Sequence, residues 1–139
     1  MENQEKCNNL SRLVEKLKKS EDPKRKYEYI LWLGKKLKEP DNEILVEENK
    51  VKGCVSEVFV NAKIKSGKLF WEGYSDALIT KGLLAFLIIG LNELTPNEVI
   101  KIDKKFIEDT GLRSSLTPSR SNGFLNILLK MQSQANEFL

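Results

Sequence analysis

Histidine is absent from this chain, and cysteine occurs only at Cys7 and Cys54. Without an imidazole there is no Cys-His nucleophile pair and no Cys/His zinc site, and two thiols are too few for a four-thiolate cluster. Long apolar runs are also missing. The most hydrophobic stretch, Leu83 to Leu91, is about half of what a helix needs to cross a bilayer, which predicts a buried helix instead. The start, MENQEKCNNLSRL, lacks the apolar core of a signal peptide and carries acids that a mitochondrial transit peptide avoids, so a cytoplasmic chain is expected. A net charge of +3 is too slight to argue for nucleic acid or a membrane surface as partner. In a reducing compartment, Cys7 and Cys54 are expected as two free thiols rather than a disulfide.

At 139 residues the chain is expected to be one domain, 1–139, with residues 1–9 a flexible N-terminus. Leu10, Leu13, Val14 and Leu17 form an apolar stripe at helical spacing. Asp22 before Pro23 is a helix-start signal, and the helix that follows is predicted to carry Tyr27, Ile30, Leu31, Leu33, Gly34 and Leu37 toward the core. The charged stretch to Lys52 reads as loop. From Val55 the period becomes two: Val58, Val60, Ala62 and Ile64 share one face, and Glu57, Phe59, Asn61 and Lys63 the other. With the KSGK turn at 65–68 and LFWEGY after it, this predicts an antiparallel hairpin that must lie on helices to be stable. Ser75 and Asp76 suit the cap of a long apolar helix, Thr95 and Glu98 form a capping box, and Asp103 suits the cap of a short helix ended by Gly111. LTPSRSNG leads into a last helix bearing Phe124, Ile127, Leu128 and Met131. The predicted fold class is therefore α+β.

Cys54 follows Gly53 where loop passes into strand, which places a thiol at the tip of a turn. A buried, inert cysteine is the plain alternative. Lys50 and Lys52 are close enough in sequence to favour a thiolate, and lowering its pKa from about 8.5 to about 7 would raise the reactive fraction at neutral pH roughly fifteenfold. Such a loop is expected to be mobile, or partly closed over an apolar pocket, between encounters with a partner.

ENKVKGCVSEVFV resembles the active-site segment of the SufE family of sulfur acceptors for cysteine desulfurases, whose Gly-Cys-x-Ser-x-Val cysteine carries a persulfide. YEYILWLGKKL resembles that family's second helix, SDALITKGLLAFL its Ser-Asp-Ala…Lys-Gly-Leu segment, and LTPSRSNG its Ser-Pro-Ser-Arg-Ser-x-Gly signature, from about Leu10 to the last helix. The resemblance implies a fold related to iron–sulfur scaffold proteins and a monomer or weak dimer without a cofactor. It implies that Cys54 takes sulfur from a PLP-dependent cysteine desulfurase and passes it to an iron–sulfur assembly scaffold. Gly53, Arg120, Ser75, Asp76 and Lys81 occupy the family's other motif positions, with Arg120 expected to orient the loop or meet the desulfurase. Ser75 and Asp76 are equally explained as helix caps.

Val55 and Glu57 stand where many relatives have glutamine, and Tyr74 where some have an acid. Strand alternation would put Val55, Glu57 and Phe59 on one face, where Glu57 could oppose thiolate formation. Cys7 matches nothing in the family. Two other classes compete: an iron–sulfur scaffold, which needs about three ligands where this chain offers one well-placed thiol, and a thiol-dependent redox enzyme forming a sulfenic acid at Cys54.

Overall fold

The computed structural model describes residues 8–139, so Cys7 and most of the terminus expected to be flexible lie outside it; Asn8 and Asn9 are helical. Helix α1 spans Asn8–Lys18 and buries Leu10, Leu13, Val14 and Leu17, the stripe visible in its sequence. The cap of α2 (Pro23–Gly34) is Asp22, whose carboxylate accepts from the Lys24 N–H. Only part of the expected face of α2 is buried: Ile30, Leu33 and Gly34 are inside, Leu31 and Leu37 half-buried, and Tyr27 exposed. Lys26 is buried instead. Its ammonium donates to the carbonyls of Leu17 (2.6 Å) and Thr110 (2.8 Å), satisfying acceptors near the ends of two other helical segments.

Strands β1 (Val58–Lys65) and β2 (Lys68–Ser75) form a two-stranded antiparallel sheet, in register from Val58 with Ser75 to Lys65 with Lys68. Ser66 (φ 52°) and Gly67 (φ 77°) make the turn, the pair of left-handed residues a tight hairpin requires. The strand starts at Val58, not at Val55 as alternation predicts. Val58 and Val60 are buried, whereas Ile64 is 44% exposed because the tip of the hairpin projects past the helices. The segment before it is less irregular than its charge predicts. It folds into 3-10 turns at Asn42–Ile44 and Glu47–Asn49, then Lys50 bridges to Phe59 and the Val51 N–H donates to the Val58 carbonyl at 2.8 Å.

The central element is α3 (Leu78–Leu91), in which Leu83, Leu84, Ala85, Phe86, Leu87 and Leu91 are fully buried. It packs against α1, α2, β2 and the last helix. Its N-cap is Ala77, without a side-chain hydrogen bond, so the capping expected of Ser75 and Asp76 is not what they do. Ser75 is the last residue of β2 and bonds locally with Ala77, and the Asp76 carboxylate turns to another segment. Helix α4 (Pro96–Ile100) has the predicted Thr95–Glu98 capping box. Helix α5 (Phe106–Asp109) begins later than Asp103 suggests; that residue accepts from Lys105 N in the turn leading in, and Gly111 follows the helix in the left-handed conformation. After a 3-10 turn at Leu112–Ser114 comes α6 (Pro118–Asn136), capped by Thr117 and carrying Phe124, Ile127, Leu128 and Met131 into the core. The Phe124 ring meets Phe86 edge-on at 5.6 Å between centroids, fixing α6 against α3.

Candidate functional site

Because Val51 pairs with Val58, the loop 52–57 leaves and rejoins the sheet at the same point. Gly53 lies inside it with φ +80°, a conformation that disfavours any side chain, and Cys54 follows as a free, half-buried thiol at the edge of the core. Helix α6 is the platform on which the loop rests. Arg120, Gly123 and Asn126 recur every three residues along one stripe of α6. The loop runs along that stripe in the opposite direction, with Ser56 at Arg120, Cys54 at Gly123 and Gly53 at Asn126.

Each of these contacts is specific. The Arg120 guanidinium donates through Nη1 to Ser56 Oγ and to Thr80 Oγ1, the latter at 2.6 Å, and the two hydroxyls are 3.3 Å apart. Cys54 Sγ approaches the Gly123 carbonyl at 3.8 Å, and a side chain at Gly123 would begin 3.5 Å from the sulfur. Asn126 Nδ2 donates to the Gly53 carbonyl at 3.1 Å. The far end of the loop is tied separately: Asp76 Oδ1 accepts from the Glu57 N–H at 3.0 Å, and the Asp76 N–H donates to the Glu57 carbonyl at 3.2 Å. Further along α6, Lys130 Nζ reaches the Glu48 carbonyl and Gln134 Nε2 the Val60 carbonyl, both at 2.7 Å. One helix face therefore holds the whole approach to the thiol.

Burial pushes the Cys54 thiol above its ordinary pKa, and the nearby charge of Arg120 opposes that shift. The cation acting on the sulfur is thus Arg120, from near the other end of the chain, rather than Lys50 or Lys52. The thiol's resting state is protonated at neutral pH, contrary to the lowered pKa that the neighbouring lysines suggest. Since the strand begins only at Val58, alternation does not govern Val55 and Glu57. Val55 points outward, 72% exposed, and the Glu57 side chain is exposed while its backbone is held by Asp76. Tyr74 pairs across the hairpin with Phe59, rings 6.4 Å apart.

Of the residues singled out from sequence, Gly53, Cys54 and Arg120 come together, and Asp76 joins them through Glu57. Ser75 is a buried strand end. Lys81 instead lines a groove of about 310 Å³ with Glu28, Trp32 and Leu78. Sequence reasoning misses Thr80 and Asn126. The one signal for Asn126 is its place on the stripe of Arg120 and Gly123, visible only once a helix is drawn through Pro118. Among the described residues no group of three or more His, Cys, Asp or Glu is placed to hold a metal ion, and no helix is long and apolar enough to cross a membrane.

Residues 11–135 match the family model SufE, described as an Fe-S metabolism associated domain. An uncharacterised SufE-like protein of Synechocystis is 50% identical over 130 residues, covering 94% of this chain and 82% of the relative. SufE-like protein 1, chloroplastic/mitochondrial, of Arabidopsis thaliana is 40% identical, covering 91% of this chain but 34% of the relative. The cysteine desulfuration protein SufE of Plasmodium falciparum is 34% identical over 79% of this chain and 46% of that protein. The chain thus spans under half the length of these last two. In fold it is similar to a hypothetical protein of Thermus thermophilus solved in solution, with a TM-score of 0.80, 25% identity and 93% of this chain covered. The GCVSEV loop and the SRSNG start of α6 that receives it lie within the matched span, and the chain belongs to the SufE family.

Proposed function

We propose that this protein accepts sulfur from a PLP-dependent cysteine desulfurase on Cys54 and delivers it to an iron–sulfur assembly scaffold. The observation that carries the reading is a free thiol on a loop closed at both ends, held against α6 by side-chain hydrogen bonds that can be exchanged for contacts with a partner. The relatives named for cysteine desulfuration support the same direction.

The chemistry balances without an added oxidant or reductant. The Cys54 thiolate attacks the outer sulfur of a persulfide on the donor; that S–S bond breaks, a new one forms as Cys54–S–SH, and the donor leaves as its thiolate. Such exchange needs access and a thiolate, and no separate general base, which suits a chain without histidine. In the closed loop, burial keeps the thiol protonated. Opening the loop removes that burial while Arg120 can stay beside the sulfur, so docking would expose and activate it together. A reducing, cytoplasmic setting suits a carrier that must keep this thiol free.

Incubation with a cysteine desulfurase and free cysteine should add the mass of one sulfur atom to the peptide containing Cys54. Absence of that adduct, or full stimulation of the desulfurase by Cys54→Ser, would overturn the proposal.

A further inference from the structure

Asn126 belongs to no motif that points to sulfur chemistry, yet its side chain makes a hydrogen bond to the residue next to the thiol. Its Nδ2 lies 3.1 Å from the carbonyl oxygen of Gly53, the residue immediately before Cys54. The fit is close from both sides, since a Cβ on Gly53 would come within 2.6 Å of the same nitrogen. Gly53 therefore does two jobs: it adopts φ +80°, and it leaves room for the amide. The remaining restraint at the sulfur, the 3.8 Å approach to the Gly123 carbonyl, is weak, because a thiol is a poor donor. Arg120 holds the loop two residues beyond the sulfur, at Ser56. Between those two anchors only Cys54 and the exposed Val55 are free to swing.

We infer that Asn126 is a positioning residue, a latch whose amide holds the Gly53 carbonyl and so keeps the Cys54 thiol turned against α6 until a partner displaces the loop. The inference deepens the function proposed above but concerns only how far the thiol is sheltered, so its test needs no desulfurase. Release of the latch detaches one end of the Gly53–Ser56 segment while Arg120 keeps the other. The sulfur then moves outward into water beside the same guanidinium. An amide–carbonyl bond of ordinary net strength sets the closed-to-open ratio by about fivefold.

The test is the rate at which iodoacetamide modifies Cys54 as a function of pH, read by peptide mass spectrometry so that Cys7 is followed separately. Asn126→Ala should react about fivefold faster at neutral pH, and its apparent pKa should fall toward that of a solvent-exposed thiol, with a melting temperature lowered only by the few degrees that one hydrogen bond is worth. Gly53→Ala, which strikes the same contact from the other side and adds strain at φ +80°, should react at least as fast. In the double variant the rate gain should fall short of the product of the two single gains, because the contact is shared and only the backbone strain at Gly53 is separate. A merely structural role would lower the melting temperature without moving the thiol's apparent pKa. Unchanged rate and pKa in Asn126→Ala, or fully additive effects in the double variant, would overturn the latch and leave the sulfur-acceptor reading standing. Failure to load sulfur with the latch behaviour intact would do the reverse.

Discussion

Arg120 and Thr80 meet through a 2.6 Å hydrogen bond that joins the first turn of α6 to the first turn of α3, forty residues apart in the chain, with Ser56 of the cysteine loop on the same guanidinium nitrogen. Thr80 is 3% exposed, so its hydroxyl has no water to fall back on. Thr80→Val keeps shape and volume but removes the acceptor, leaving a partly buried cation with one partner fewer. The expected loss is about 1–2 kcal/mol, seen as a fall in melting temperature of about 4 °C. Because the charge remains and Ser56 still receives it, the Cys54 peptide should still load sulfur. A variant as stable as the parent would show that the bond to Thr80 does not hold the two helices together.

The helix crossing beneath the site yields a second prediction. Gly34 of α2 and Gly82 of α3 face each other where the helices touch: a Cβ on Gly82 would lie 2.2 Å from the Ile30 carbonyl oxygen, and one on Gly34 would lie 3.1 Å from the Gly82 nitrogen. The nearest obstacle at Gly82 is backbone rather than the end of a flexible chain, so Gly82→Ala must push the helices apart. Overpacking of this kind is expected to cost about 2–3 kcal/mol or more, whereas Gly67→Ala, which meets no neighbour within 4 Å but sits at φ +77°, should lose less. Urea midpoints of the two variants against the parent check the order, and a reversed order would refute the crossing as described.

That crossing also explains what the sequence discloses and what it withholds. The segments YEYILWLGKKL and SDALITKGLLAFL, which contain Gly34 and Gly82, are readable as resembling pieces of one family, and those glycines prove to be two sides of a single contact. Helical periodicity in α1 and α6, the Thr95–Glu98 box and the Ser66–Gly67 turn are legible because their causes are local. Local reasoning fails where a distant partner decides. Alternation carries the strand back to Val55, but pairing stops at Val58, where Val51 closes the loop. Ser75 and Asp76 have the chemistry of caps, yet a sheet position and the Glu57 N–H claim them. The lysines beside Cys54 in sequence prove less relevant than Arg120, whose backbone N–H lies 3.3 Å from the hydroxyl of the Thr117 cap. Proximity along the chain says little about charge in a folded site.

The last prediction concerns the ionisation of Cys54. Burial raises its folded-state pKa above the usual value and Arg120 only partly offsets this, so the free protein holds the proton where the unfolded chain has begun to lose it. In that interval the native state binds more protons than the unfolded one, and stability contributed by the protonated thiol is complete below the unfolded pKa and declines as pH rises toward the folded one. Two measurements follow. Alkylation of Cys54 in the free protein should keep accelerating with pH beyond about 9, without levelling off near neutrality. Unfolding free energy should also fall more steeply with pH above about 9 in the parent than in Cys54→Ala, where the titrating group is gone and every other ionisable residue is shared. A rate plateau near neutral pH, or parallel stability curves for the two proteins, would mean that the loop rests open and the thiol is already a thiolate before any partner arrives.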